Sequence, residues 1–171
     1  MKFDANEVLQ TSLLQELNQL VVTKFRERER AYHEAAAMPM ENLHDLWDRG
    51  LLTATVRRQH GGLGSNVMSE DPATFLQAIR TVARASPGTA HCLQVQNHVA
   101  WAIDEIGTDE QREHFLAPMF QKMRLCSFVG SEAGRKHMYV LKTTARKVEG
   151  GYIVTGAKNY ATNGYEDGCA I

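Results

Sequence analysis

The sequence predicts an α+β chain: an N-terminal all-α helical bundle followed by a partial β-barrel or sandwich. Three observations carry this. Apolar residues recur every three to four positions through the first 121 residues, the period of amphipathic helices. After Gln121 the period falls to two, that of strands. Caps, prolines and glycines stand between the periodic runs where such residues start and stop helices. The expected domains are therefore 1-121, helical, and 122-171, an incomplete β domain.

Asp4 is placed to cap a first helix in which Leu9, Leu13, Leu17, Val21 and Phe25 recur every four residues. Its charge-alternating tail, Lys24 to Arg30, is expected to face water, and Glu34 to Met38 continue it until Pro39. A short helix follows with Leu43, Leu46 and Trp47 on one side and Gly50 as its stop. The glycines of RRQHGGLGSN make that stretch a loop; the spacing matches neither a dinucleotide fingerprint nor a phosphate-binding loop. Asp71 and Pro72 open a helix with a stripe of Phe75, Leu76, Ile79, Val82 and Ala83, ended by Ser86-Pro87-Gly88. The next helix presents Val95, Val99, Ala102, Ile103 and Ile106 and closes at Gly107. Thr108 and Gln111 form a capping box for a helix buried through Phe115, Leu116, Met119 and Phe120.

In the β region Leu125, Ser127 and Val129 alternate with Cys126 and Phe128. Thr143, Ala145 and Lys147 alternate with Thr144, Arg146 and Val148, and Tyr152-Ile153-Val154 returns after Glu149-Gly150-Gly151. Two or three strands are about half of what a closed barrel needs. The last would be an unprotected edge, so the chain is expected to be a fragment.

Composition narrows the function classes. With 171 residues, there is chain for one domain, or one and part of another. A net charge of -1 gives no electrostatic reason to expect nucleic acid or an anionic membrane as partner. No apolar run approaches the roughly 20 residues that span a bilayer. The first ten residues lack a hydrophobic signal core, which suits a cytoplasmic protein. Cys92, Cys126 and Cys169 are odd in number and widely spaced, so reduced thiols are expected and a metal site is not.

Two segments are candidates for chemistry. The strand ending in Phe128, Val129, Gly130 and Ser131 leaves small residues, a hydroxyl and backbone N–H groups where a flat ring can approach. Read blandly, it is an ordinary strand exit. Tyr160, Ala161 and Thr162 complement it with an aromatic to pack on a ring and a hydroxyl to bond one; Tyr160 reads equally as a half-buried strand aromatic. The helix after Pro87 carries His91, Gln94, Gln96, Asn97 and His98, either a polar edge toward a substrate cavity or a solvated face. His137 follows the first segment beside Arg135 and Lys136, whose charge suits phosphate or simply water.

The ordered series GGLG, GTDEQREHFLAPM, SFVGSEAG and TTARKVEGGYIVTGAKNYATNG resembles the acyl-CoA dehydrogenase superfamily, over its N-terminal helical domain and the start of its middle β domain. The resemblance covers roughly residues 15 to 171. It implies an FAD-dependent oxidoreductase that dehydrogenates an acyl thioester at its α and β carbons, oligomeric in its full-length form. The family's flavin-edge motif is matched by Phe128, Val129, Gly130, Ser131 and Glu132, and its second flavin motif by Tyr160, Ala161 and Thr162. Substrate contacts are expected at Gln94, Gln96, His98 and His137, with acyl-CoA or a similar small molecule as partner.

The resemblance places the catalytic base in a C-terminal helical domain absent here, so no residue of this chain is assigned that role and the isolated chain is expected to be inactive. Ala133 to His137 depart from the family's usual loop, and Tyr160 stands where tryptophan is usual. The tyrosine is similar to what flavin-dependent monooxygenases of the same fold carry, and the altered loop departs from the run that contacts acyl-CoA in the family, which together make that activity the alternative. A non-catalytic helical interaction module is a third reading.

Overall fold

A computed structural model describes residues 12–134, 137, 140–164 and 169–170. Asp4 and Leu9 lie outside them. The helices are α1 (Ser12–Leu20), α2 (Arg26–Ala35), α3 (Met40–Trp47), α4 (Ala73–Ala83), α5 (Pro87–Ile106) and α6 (Asp109–Lys122). A π-helical turn, Val21–Phe25, joins α1 to α2. The strands are β1 (Cys126–Ser127), β2 (Thr144–Val148), β3 (Gly151–Thr155) and β4 (Cys169–Ala170). The chain is thus helical with a small antiparallel hairpin, as expected.

From Leu17 on, the stripe of the first helix is buried where its period places it, while Leu13 is half-buried. Leu17, Val21 and Phe25 are in the core, joined by Leu14 and Leu20. The charged helix α2 buries nothing. It ends at Ala36, whose left-handed φ of 47° turns the chain out, two residues short of the expected Met38. Arg28 fastens α2 to α3 through Asp45 at 2.7 Å and Glu41 at 3.0 Å.

Helix α5 is the spine, buried on several sides, as a central helix must be. Its N-terminal half packs with α1, α3 and α4 around Phe25, Leu43, Leu46, Val82 and Leu93. Its C-terminal half packs with α6 in a second core of Val56, Val99, Ile103, Leu116 and Met119. The Thr108–Gln111 capping box is present at the start of α6.

Three expectations are corrected. Leu76 and Ile106 are exposed, at 57% and 84%. Helix α4 faces its neighbours through Phe75, Ala78 and Val82, and Leu76 is turned about 100° from Phe75 on the helix. Ile106 ends α5 beyond Ile103, the last apolar residue buried on that helix. Leu125, Cys126 and Ser127 are all buried rather than alternating, because this segment packs on α5 while β1 pairs with β4 in parallel. Cys126 is disulfide-bonded, so the expectation of reduced thiols fails there, whereas Cys92 is a buried free thiol.

The hairpin register runs from Thr144 opposite Thr155 to Val148 opposite Gly151, with Glu149 and Gly150 as its two-residue turn. Every residue of it except Val148 is exposed. No helix among the described residues is long and apolar enough to cross a membrane.

Candidate functional site

One edge of α5 touches both candidate segments. His91, Gln94 and His98 share that edge by spacing, with His91 and His98 about 10.5 Å apart along the axis. The His98 ring stacks on Phe128 at 4.8 Å and 29°. His91 Nε2 lies 3.0 Å from the Thr162 hydroxyl, and Asn163 Nδ2 donates to the Cys92 carbonyl at 2.9 Å. Between them Gln96 is fully buried. It donates to the Arg124 carbonyl and accepts from the Cys126 N–H at 2.7 Å, which fixes where β1 begins. Gln96 therefore braces backbone. Gln94 and His137 are exposed, and His98 is half-buried.

The segments also meet each other. Asn159 N–H donates to the Ser131 carbonyl at 2.8 Å. Beside that bond, Lys158 Nζ reaches Glu132 Oε1 at 2.7 Å. Glu132 is buried at 6% exposure and accepts further bonds from the Lys142 and Thr143 N–H groups. The Lys158 ammonium first, then the bonds from Thr143 and Lys142, hold its carboxyl well below the usual carboxylate range. Glu132 is thus held as an anion at neutral pH, where it knots three pieces of chain and is a poor proton acceptor for chemistry.

Around this knot lies an open aromatic surface. Tyr160 is 87% exposed and sits at a left-handed φ of 60°. Phe128 is also exposed, and Ala161 with it, while Val129, Gly130, Ser131 and Thr162 are half-buried. A Cβ at Gly130 would stand 2.5 Å from the Phe128 ring, so a side chain there would push that ring off His98.

Two buried oxygens beside this surface, Ser127 Oγ and Asn163 Oδ1, have no hydrogen-bond partner among the described residues. Buried polar atoms are rarely left so. Exposed ring faces with unspent polar atoms beside them fit a flat heteroaromatic group. Arg135 and Lys136 lie outside the described residues.

The pattern on the sequence pointed to Phe128 to Ser131 and to Tyr160 to Thr162, and the fold brings those stretches together. It did not assign roles to His91 and Lys158, which join them. Their partners are 71 and 26 residues away, and no local pattern encodes such pairs.

Comparison with known proteins gives the family and the fold. Residues 9–122 match the family model "Acyl-CoA dehydrogenase, N-terminal domain". The short-chain specific acyl-CoA dehydrogenase of Clostridium acetobutylicum is 26% identical over 157 residues, 88% of this chain and 40% of that protein. A dibenzothiophene monooxygenase of Rhodococcus qingshengii is 31% identical over 137 residues, 80% of this chain and 30% of that protein. A glutaryl-CoA dehydrogenase of Mycobacterium smegmatis, solved in complex with FADH2, superposes with a TM-score of 0.80. That match is 21% identical and covers 95% of this chain and 42% of the other, a likeness of fold. The chain spans less than half the length of these curated relatives. Over its helical part it is matched by that N-terminal domain model from α1 to the end of α6, and the chain belongs to the acyl-CoA dehydrogenase family.

Proposed function

We propose that this chain supplies the helical domain, residues 1-121, and the first wall of the flavin site, within 122-171, of an FAD-dependent oxidoreductase acting on an acyl thioester. The observation that carries the reading is the direct bond from Asn159 N–H to the Ser131 carbonyl, which sets both candidate segments on one surface. In this reading Phe128, Val129, Gly130, Ser131, Tyr160, Ala161 and Thr162 receive the flavin ring. Gln94, His98 and His137 border the substrate side, and Gln96 holds the wall in place. When bound, FAD supplies the hydride acceptor for α,β-dehydrogenation. The chain's own residues orient the ring and exclude water from one of its faces. Glu132 is spent on Lys158, so the proton acceptor belongs elsewhere in the complete enzyme. Acyl-CoA as substrate, assembly with further copies and a cytoplasmic location belong to the same reading.

A second reading, a flavin-dependent monooxygenase, is favoured by the exposed Tyr160 and by the 31% identity to a dibenzothiophene monooxygenase. Two assays on the protein expressed from its whole reading frame separate them. Acyl-CoA thioesters are expected to bleach the bound flavin anaerobically. Oxygen uptake with externally reduced flavin, and no bleaching by thioesters, would install the second reading instead. In either case Gly130→Val is expected to lower the flavin retained on purification. Undiminished flavin in that variant would remove this surface from the site.

A further inference from the structure

The second core opens at its rim into a cavity of about 360 Å³, lined by His60, Arg112, Glu113, Leu116, Ala117 and Phe120 among others. The cavity shares no lining residue with the flavin wall. Its polar end is built on Asp104, a fully buried carboxylate of α5. Asp104 Oδ2 accepts from Arg57 N–H and Arg57 Nε, each at 3.0 Å, and Oδ1 meets His60 Nδ1. Arg112 Nε donates to the Asp104 carbonyl at 2.9 Å. Burial pushes the Asp104 pKa up, but the bonds from Arg57 and His60 outweigh it and the net shift is down. Asp104 Oδ1 accepts from His60 Nδ1–H, and in that tautomer of the neutral ring Nε2 is an acceptor.

That Nε2 has a long contact of 3.4 Å with Gln59 Nε2, an exposed amide that a ligand can displace. Arg112 spends Nε on Asp104 and Nη1 on Asp109 at 2.6 Å, while Nη2 has no hydrogen-bond partner among the described residues. An acceptor and a donor thus stand beside an apolar lining. Gly61, at a φ of 95°, backs the Phe120 ring where a Cβ would lie 3.7 Å from it.

We propose that this cavity binds a small phenol. Its ring lies on Phe120, Leu116 and Ala117; its hydroxyl donates to His60 Nε2 and accepts from Arg112. One hydroxyl satisfies both groups at once. A hydrocarbon of the same shape leaves Arg112 Nη2 desolvated and unbonded and His60 Nε2 with only its long Gln59 contact, which is costly. A carboxylate has no proton for Nε2 and meets the charge of Glu113. The volume lies within the range of small-ligand sites.

The test titrates p-cresol into the full chain by calorimetry, with toluene and p-toluate as companion probes. Saturable one-to-one binding of p-cresol is expected, with affinity about tenfold or more above either companion. His60→Gln is expected to weaken it by about tenfold, and Ala117→Trp, which fills the cavity and leaves the His60–Asp104 pair intact, to abolish it. Should His60→Gln fail to fold, Ala117→Trp and the probe ranking decide. No saturable p-cresol binding, equal or tighter binding of toluene or p-toluate, or unchanged binding in folded Ala117→Trp overturns the proposal.

Discussion

The helical bundle and the hairpin beside it are held by different means. Helix α5 has neighbours on several sides and two apolar cores along its length. The β2–β3 hairpin has none of its apolar side chains fully buried and leaves Tyr152, Ile153 and Val154 in solvent. A two-stranded hairpin alone is marginal in water. The segments that flank it are tied by polar links, Glu132 to Lys158 and Ser131 to Asn159, and Asn163 reaches the Cys92 carbonyl on α5. Hydrophobic burial therefore holds the scaffold, while directional bonds hold the candidate site. Substitutions in the two regions should break different things.

The largest effect is expected in the scaffold. Phe25 is fully buried in the first core, and Phe25→Ala removes its transfer energy and leaves a cavity. The expected loss is about 3–5 kcal/mol, read from urea unfolding followed by far-UV circular dichroism. A loss under about 1 kcal/mol would mean that the bundle does not depend on this core, and the contrast between the regions would fail.

An intermediate effect is expected where the regions join. Gln96→Leu keeps the bulk but strips the Arg124 carbonyl and the Cys126 N–H of an amide partner. The expected cost is about 1–3 kcal/mol. Hydrogen exchange should quicken at Cys126 while the Phe25 core stays protected. Uniform loss of protection would place Gln96 in the scaffold alone.

What could be read from the residues follows the same division. Helix periods and caps act over three or four residues, so the α1 stripe, the Thr108–Gln111 box and the glycine-rich loop were legible. The exposure of Leu76 and Ile106 depends on which neighbours happen to cover a face, which a period cannot state. The burial of Gln96, Asn97 and Asp104 was hidden for the same reason, since each is paid by a partner distant in sequence. The candidate site was legible only as two short segments and a family resemblance. The ion pair and the histidine contacts that assemble it are tertiary.

The smallest effect on global stability, and the most local one, is expected at Glu132. Its pKa is lowered in the fold, so the unfolded chain binds the proton more readily. Its contribution is therefore complete above the ordinary glutamate range, near pH 4.5, and is lost progressively as pH falls through and below it. Acid should release the Lys158 and Lys142 segments before the bundle melts. Glu132→Gln should produce the same release at neutral pH, because a neutral amide forms no ion pair with Lys158 and turns an NH2 toward one of the three donors. The expected readout is faster proteolysis and exchange over residues 142 to 164 with the helical signal unchanged. If the variant instead unfolds with the bundle in one transition, the hairpin and helices form a single cooperative unit, and the distinction between a buried scaffold and a polar-linked site is lost.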